Sequence, residues 1–314
     1  MHCTIMVRTL MAALGVWLLL VTTAQALVLY TGPKVGTYYP VGRDIASMAD
    51  TVKIPVQVIA TEGSIDNIRQ LGDNRAPAMG IVQSDVLGFL GRAENSVSRN
   101  LLQHLQVVMP LYYEEVHVLA RKEITSFSQL QGKRVAIGEE GSGHMLTAVN
   151  LFSIVNIEPG EVKKLSSEEG VVEVLKGSLD AVIFIGGKPV KLFKNMEDLT
   201  NPENRKFALM LQQVHFLPMN DAKFYEEYEP TEITPKDYAF VRGTVPTISV
   251  QALLVASDYK RAQPHLSACE DIAKLNQTLR KSLPDLKQKA HPKWREINPD
   301  KIVVGWQKSS CLKP

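Results

Sequence analysis

The stretch TGPKVGTYYPVG, from Thr31 to Gly42, decides how this chain folds. The apolar run 27–30 precedes it and predicts a short buried strand, and Val41, Ile45 and Met48 follow at helical spacing. A strand, a glycine-containing turn and a helix in this order leave free backbone N–H groups at the carboxyl end of a sheet, where the helix dipole adds positive potential. The turn is therefore predicted to hold a carboxylate or a phosphate without any charged side chain.

The same arrangement recurs about a hundred residues later, between Gly138 and Ala148. Strand-like and helix-like segments alternate along the chain, which predicts an α/β architecture with largely parallel sheets. Predicted strands at 55–60 and 78–82 end in small polar residues, and ligands of such sheets bind outside those ends. Two anion-holding turns in two halves of the chain favour a ligand held between two lobes.

Residues 1–26 have the features of a secretory signal peptide. Arg8 is followed by an apolar core from Leu10 to Val21 and by Ala24–Ala26, a small-x-small cleavage site. The core is shorter than the roughly 20 residues that a membrane span needs, which argues against the alternative of an uncleaved anchor helix. We therefore expect cleavage after Ala26 and a periplasmic product.

Two cysteines, Cys269 and Cys311, remain after the predicted cleavage. In an oxidising compartment an even pair favours a disulfide, which would tie the C-terminal tail to the last helix. The alternative is that Cys269 is a small buried residue on the apolar face of that helix.

The balanced charge of the chain and the absence of several known motifs exclude whole classes of function. The chain has 35 basic and 33 acidic residues, which is not the basic field of a nucleic-acid-binding protein. The phosphate-loop lysine is missing, and neither His-Glu-x-x-His nor Cys-x-x-Cys is present. Ser142 and His144 leave a secreted serine hydrolase as a distant alternative. We expect no catalysis, no cofactor and no metal.

The remaining segments are assigned by pattern. Residues 105–121 contain two extended apolar pieces, interrupted by Pro110 and the polar residues 112–115, a pattern expected of one strand that passes from one sheet to another. The later predictions are a strand at Lys206–Val214, a loop region at 217–240, a strand at Thr247–Ala256 that returns to the first lobe, and a closing helix at Leu266–Leu283.

Six short motifs occur in an order that is informative although each alone is weak. They are Thr31-Gly32 with Gly36–Pro40, Thr61–Asn67, Gln83–Asp85, Gly132–Ala136, Gly138 with Gly141–Gly143, and Leu179–Pro189. Together they resemble the TAXI-type solute-binding proteins of tripartite ATP-independent periplasmic (TRAP) transporters. The resemblance implies a type II periplasmic binding protein fold, with two α/β lobes and a ligand cleft between them. We expect lobe 1 at 27–113 plus 246–314 and lobe 2 at 114–245.

The resemblance also implies a function. It indicates an extracytoplasmic, monomeric receptor that captures a small organic anion, a glutamate-like amino acid or another carboxylate, by lobe closure. The receptor would deliver this ligand to the membrane subunit of a TRAP transporter. An ATP-driven uptake receptor for another small anion and a sensor that docks to a signalling kinase remain alternatives.

The candidate ligand shell is drawn from the loops that follow the predicted strands. Short hydroxyls and backbone amides can satisfy a carboxylate, and a tyrosine can pack against an aliphatic stem. The candidates are Thr37, Tyr38, Ser64, Asn67, Gln83, Ser84, Tyr113, Glu114, Ser142, Gly143 and His144.

Four charged or ionisable residues are expected near the mouth of the cleft, and three of them, Lys34, Glu62 and His144, stand where the sequence departs from the family pattern. Lys34 or His144 would pair with a second carboxylate, and Glu62 would receive an amino group. Glu139 lies in the corresponding turn of the second half. For each of the four, simple exposure to solvent is the alternative.

Overall fold

The computed structural model describes residues 26–73, 76–92, 104–196, 205–259 and 266–312, together with 96, 98 and 102. The predicted signal peptide lies outside the described residues except for Ala26. Within these ranges, no helix has the length and apolar character needed to cross a membrane.

Lobe 1 is built on three parallel strands, each followed by a helix. The alternating burial of the first strand, with Leu27 and Leu29 inward, fits a strand that packs one face against a helix. The strands are β1 (Leu27–Tyr30), β2 (Val56–Ile59) and β3 (Ala78–Gln83), and the helices are α1 (Tyr38–Thr51), α2 (Ser64–Gly72) and α3 (Asp85–Arg92).

Lobe 2 repeats this plan around a second parallel group. Its central strand, β7, is buried at every position, as expected for a strand with neighbours on both sides and helices on its faces. The strands are β5 (Arg134–Ala136), β6 (Glu161–Lys163) and β7 (Ala181–Gly186), and the helices are α4 (Gly143–Val155), α5 (Ser167–Lys176) and α6 (Lys191–Asn195).

Two long antiparallel strands, β4 (Leu105–Arg121) and β10 (Val245–Ser257), connect the lobes. The first half of β4 packs into the cores of lobe 1 and its second half into those of lobe 2. In the described chain the main sheet has the order β2-β1-β3-β10-β4-β7-β5-β6, with β8 (Val214–Phe216) on β4 and β9 (Glu229–Ile233) on β10. The predicted two-lobe α/β fold is therefore confirmed.

Residues 105–121 form one continuous strand, as predicted, and Pro110 is accommodated at an irregularity in the β4–β10 ladder. Two other segment predictions need correction. The predicted strand Lys206–Val214 is instead the helix α7 (Arg205–Leu211), whose Ala-Leu-Met-Leu run favours a helix. The predicted loop 217–240 contains a 3₁₀ turn and strand β9, an edge strand that tolerates its proline.

The C-terminal segment packs against lobe 1. Helix α8 (Leu266–Lys289) runs beyond the predicted end at Leu283 and places Ile272 and Leu275 in the same core as Ile45 of α1. Cys269 and Cys311 are joined by a disulfide with a Cα–Cα distance of 5.0 Å, so the chain end is attached covalently to α8.

Candidate functional site

A cavity of about 280 Å³ lies between the two lobes, at the carboxyl ends of their parallel strands. Lobe 1 lines it with residues 32–33 and 35–38 of the β1–α1 turn and with residues 62–64 at the start of α2. Lobe 2 lines it with the turn before α4, the end of β7 and the short helix α6. The two strand-turn-helix units that the sequence singles out therefore face each other across one cavity.

The lobes touch at the mouth of this cavity. The backbone N–H groups of Ile65 and Asp66, in the first turn of α2, donate to the carbonyl of Gly141 at 3.1 and 3.2 Å. Gly143 lies directly against Gln83, since a Cβ on Gly143 would stand 1.7 Å from the Gln83 Oε1. The structure thus has the cleft closed, and Gly143 permits this closure because it lacks a side chain.

A second contact between the lobes lies outside the cavity lining and is formed by Asp85, Arg92, Thr147, Asn150, Glu227 and Tyr228. Asp85 Oδ2 accepts hydrogen bonds from Thr147 Oγ1 at 2.8 Å and Tyr228 OH at 2.9 Å, and Arg92 pairs with Glu227 at 2.9 Å. Burial raises the pKa of Asp85 to about 6. The Asp85 carboxyl of lobe 1 is therefore held by two hydroxyls of lobe 2.

Glu114 forms the floor of the cavity at the point where β4 passes between the lobes. Its Oε2 accepts a hydrogen bond from Tyr38 OH at 2.8 Å, and only 4% of the residue is exposed. Its Oε1 has no hydrogen-bond partner in the described part of the chain. Burial raises the pKa of Glu114 to about 8, against smaller lowering effects from Tyr38 and Lys293.

We expect Glu114→Gln to flatten the pH dependence of stability of the ligand-free protein. A carboxyl pKa raised from 4.5 to about 8 means that the folded state keeps a proton which the unfolded state releases, so this contribution falls as pH rises through that window. Between pH 5 and pH 8 the ionisation of Glu114 should lower the free energy of unfolding of the wild type by roughly 2–4 kcal/mol. The Glu114→Gln variant should lack this loss. The pKa of the same carboxyl is also influenced by Tyr38, Lys293, Glu115 and Asp85, which are unchanged in both proteins.

Urea unfolding at several pH values measures this difference. Wild type and variant should have similar stability at pH 5, and the variant should be the more stable at pH 8. An equal decline in the two proteins would mean that Glu114 is ionised throughout.

A chain of hydrogen bonds leads from Glu114 into the lobe 1 wall. Tyr38 OH lies 3.4 Å from Ser64 Oγ, which accepts the Gln83 backbone N–H at 3.1 Å and donates to Gln83 Oε1 at 3.3 Å. Gln83 is 2% exposed, and its side-chain nitrogen makes no hydrogen bond to the described residues. That nitrogen is therefore a donor left for a ligand.

The lobe 2 wall is the N-terminus of α4. Ser142 caps the helix by accepting the Met145 N–H at 3.1 Å, and its hydroxyl donates to the Glu139 carbonyl at 2.7 Å. The first N–H groups of a helix have no partner inside it, which leaves those of Gly143 and His144 pointing from the positive end of the dipole.

His144 is neutral and is not placed to act as a base for Ser142. Its Nδ1 accepts the backbone N–H of Ile185 at 3.0 Å, and its ring stacks on Phe184 with the ring centroids 4.6 Å apart. Burial lowers the pKa of His144 to about 4. Because Nδ1 is the acceptor, the ring proton lies on Nε2, so His144 offers a neutral donor rather than a cation.

The charged residues of the cavity lining are mostly acidic. Glu62, Glu139 and Glu168 lie at the exposed rim, and Lys191 is the one cation among the described lining residues. The pKa of Glu139 is raised, first by burial and then by the charge of Glu62 and a hydrogen bond with it. The expected mouth positions of Glu62, Glu139 and His144 are thus on the lining, whereas Lys34 is exposed and outside it.

Eight of the eleven candidate residues line the cavity together. They are Thr37, Tyr38, Ser64, Gln83, Glu114, Ser142, Gly143 and His144.

Asn67, Ser84 and Tyr113 lie outside the lining of this cavity, and their assignment to the ligand shell stays a prediction. Asn67 Nδ2 donates to the carbonyls of Thr31 and Ile81 at 2.6 and 2.7 Å, so its amide fixes the loops instead. Ser84 exchanges hydrogen bonds with the backbone of Gln251 on β10. Tyr113 points away because neighbouring residues of a strand face opposite sides, and Lys301 donates to its hydroxyl.

The sequence reasoning missed part of the lobe 2 wall. Phe184 and Gly186, at the end of β7, and residues 190–192 and 195 around α6 belong to the lining. The rule that ligands bind beyond the carboxyl ends of parallel strands, applied to β7 as it was to β3, would have identified the first two. Glu168 carried no such signal, because an acidic residue in a first helical turn is ordinary. The described residues contain no group of three or more His, Cys, Asp or Glu placed to hold a metal ion.

Comparison with known proteins agrees with this architecture. The model of the NMT1-like family matches residues 29–306. Among solved structures, MatC from Rhodopseudomonas palustris with bound malate is similar with a TM-score of 0.54 and 15% identity, over 87% of each chain. A periplasmic transporter (TM-score 0.48, 12% identity, 84% of this chain and 87% of that one) and AbpA from Streptococcus pneumoniae bound to L-arginine (0.47, 12%, 87% and 96%) are also similar. At this identity the likeness to MatC shows a shared fold.

Proposed function

Because this chain belongs to the NMT1-like family, we propose that it is an extracytoplasmic solute-binding receptor that captures a small organic anion by closing its two lobes. The ligand class is a glutamate-like amino acid or another carboxylate. The partner that receives the ligand is the membrane subunit of a TRAP transporter, and the receptor acts as a monomer in the periplasm. The observation that carries this proposal is the cavity between the lobes, walled by the N-termini of α1 and α4.

The walls of the cavity suit a carboxylate. The backbone N–H groups of Gly143 and His144 lie at the positive end of α4, and such helix ends bind anions without a charged side chain. The neutral His144 ring and the Gln83 amide add two side-chain donors, and Thr37 supplies a hydroxyl that is not used to cap α1. MatC, which has bound malate, supports a carboxylate ligand.

Ligand capture is coupled to closure of the two lobes. A ligand that contacts both walls binds the closed form more tightly than the open form and shifts the population toward it. We place the lobes at 27–113 plus 246–314 and at 114–245, so that Glu114 lies at the crossing point. The closed form is the one that a membrane partner would recognise.

A binding role fits this site better than hydrolysis does. The Ser142 hydroxyl caps α4 and donates to a carbonyl, and the ring of His144 faces Ile185 and Phe184. A nucleophile needs a base within hydrogen-bonding distance, and this pair has other partners.

A thermal-shift panel tests the proposal. The protein is refolded to remove carried-over ligand and is heated with amino acids, 2-oxo acids and dicarboxylates. A ligand at a hundred times its dissociation constant should stabilise the folded state by about 2.7 kcal/mol, which is a visible rise in melting temperature. If no small carboxylate raises the midpoint, the receptor function is contradicted.

A further inference from the structure

We infer that the solute carries a protonated amine in addition to its carboxylate, that Glu114 receives the amine on the cavity floor, and that Glu62 and Glu139 reject a second carboxylate at the mouth. The inference rests on the proposed function and narrows its ligand class. It favours amino acids with a single carboxylate over dicarboxylates and over acids that lack an amine.

The ionisable side chains of the cavity lining are mostly acidic. The described lining residues include four glutamates and one lysine, and the lysine, Lys191, is exposed at the rim. One carboxylate can be satisfied by the neutral donors of α4, but a second would meet Glu62, Glu139 or Glu168. Like charges at close range oppose binding. The cavity therefore disfavours a dianion.

Independently of the charge at the rim, Glu114 on the cavity floor offers an acceptor oxygen that no described residue uses. This side chain is buried to more than nine-tenths, lines the cavity and leaves Oε1 without a donor in the described chain. Lys293 cannot supply that donor, because its Nζ donates to Glu115 at 3.1 Å and to Glu296 at 2.8 Å. Because Oε1 opens onto the cavity, an ammonium group of the ligand can reach this acceptor and donate a charge-assisted hydrogen bond to it.

Glu62 and Glu139 supply a further argument. They come from opposite lobes and both line the cavity, and burial followed by the nearby charge of Glu62 raises the pKa of Glu139. Asp66 and Arg69 also lie nearby, since a Cβ on Gly141 would be within 4.0 Å of both and 3.7 Å from Glu62. Closure brings these two acids together at the mouth, so a second carboxylate on the ligand would meet like charge there.

Matched ligand pairs provide the test, measured by isothermal titration calorimetry at pH 7. The probes are L-leucine against (S)-2-hydroxy-4-methylpentanoate, and L-glutamate against 2-oxoglutarate. We expect the amine-bearing member of a pair to bind at least tenfold more tightly. We also expect its binding to release protons, seen as a dependence of the enthalpy on the ionisation enthalpy of the buffer, because the ammonium ionises Glu114.

Variants assign the preference to residues. Glu114→Gln should abolish the proton release and most of the tenfold preference, whereas Glu62→Gln with Glu139→Gln should strengthen binding of 2-oxoglutarate by at least threefold. Glu140→Gln is the matched control, because Glu140 neighbours Glu139 but pairs with Lys164 outside the cavity lining. Glu62 and Glu139 are exposed, so their substitution does not endanger folding.

The outcomes separate the two claims. Tighter binding of the hydroxy or oxo acid would overturn this inference and leave the receptor function in place. Binding by neither member of either pair, in a protein that is folded by circular dichroism, would overturn this inference. If the wider thermal-shift panel is also negative, the receptor function falls as well.

Discussion

Replacement of Lys293 by methionine should lower the free energy of unfolding by about 3–5 kcal/mol, the cost of leaving a buried charge without its partner. The Lys293 side chain is 2% exposed, and its Nζ lies 3.1 Å from the Glu115 carboxylate, whose side chain is 4% exposed. Methionine keeps the apolar stem but removes the charge. Urea unfolding at pH 7.5 measures the loss.

The pH dependence and a control make this prediction specific. Burial already raises the pKa of Glu115, and Lys293 opposes that rise, so the variant should hold Glu115 protonated and lose less stability at pH 5 than at pH 8. Lys289→Met removes an exposed pair with Asp285 and should cost less than about 0.5 kcal/mol. Equal losses in the two variants would show that Glu115 needs no counter-charge.

The second large effect is expected from Gly143→Ala, which should weaken binding of any ligand that needs the closed form by ~10- to 100-fold. The added methyl group would overlap Gln83, whose Oε1 stands 1.7 Å from the Cβ position, and Ser64 Oγ at 2.8 Å. Both neighbours are buried on lobe 1, so relief requires either the Gln83 side chain to turn into the ligand cavity or the lobes to separate. Overpacking of this kind costs about 1–3 kcal/mol, and that cost falls on the closed form alone.

The fold of each lobe should survive this change. Alanine favours a helix over glycine by about 0.5–1 kcal/mol, so the ligand-free variant should melt no lower than wild type. Small-angle X-ray scattering with ligand should show a larger radius of gyration for the variant. Gly91→Ala on α3, where nothing lies within 4 Å of the new methyl, is the control and should bind normally. Unchanged affinity in Gly143→Ala would argue that ligand binding does not require this closed contact.

Strand β4 carries two adjacent buried carboxyls that have different partners. Glu114 and Glu115 are adjacent on β4 and therefore face opposite sides of the sheet. Glu114 faces the cavity and Tyr38, whereas Glu115 accepts from Lys293 and from the backbone N–H of Lys188 at 2.7 Å. The buried ion pair with Lys293 therefore anchors β4 next to the carboxyl that we propose as the acceptor for the ligand's ammonium group.

The sequence by itself determined the two-lobe α/β architecture and pointed to eight of the residues that line the cavity. Periodicity and turn composition are local, so the strand-turn-helix units around Thr31–Gly42 and Gly138–Ala148 could be read directly, and the strand-end rule then located Ser64 and Gln83. The same local pattern led to a wrong prediction of a strand at 206–214, where good helix formers precede a short strand.

Only the tertiary structure decided which of these polar side chains are free to meet a ligand. Asn67 and Ser84 sit in the expected loops, but the packing of neighbouring segments uses their hydrogen bonds for the backbone of Thr31, Ile81 and Gln251. The Lys293–Glu115 pair, 178 residues apart in sequence, leaves no trace in local pattern. Contacts of this kind arise when distant segments pack, because partner choice depends on geometry that no single stretch of sequence contains.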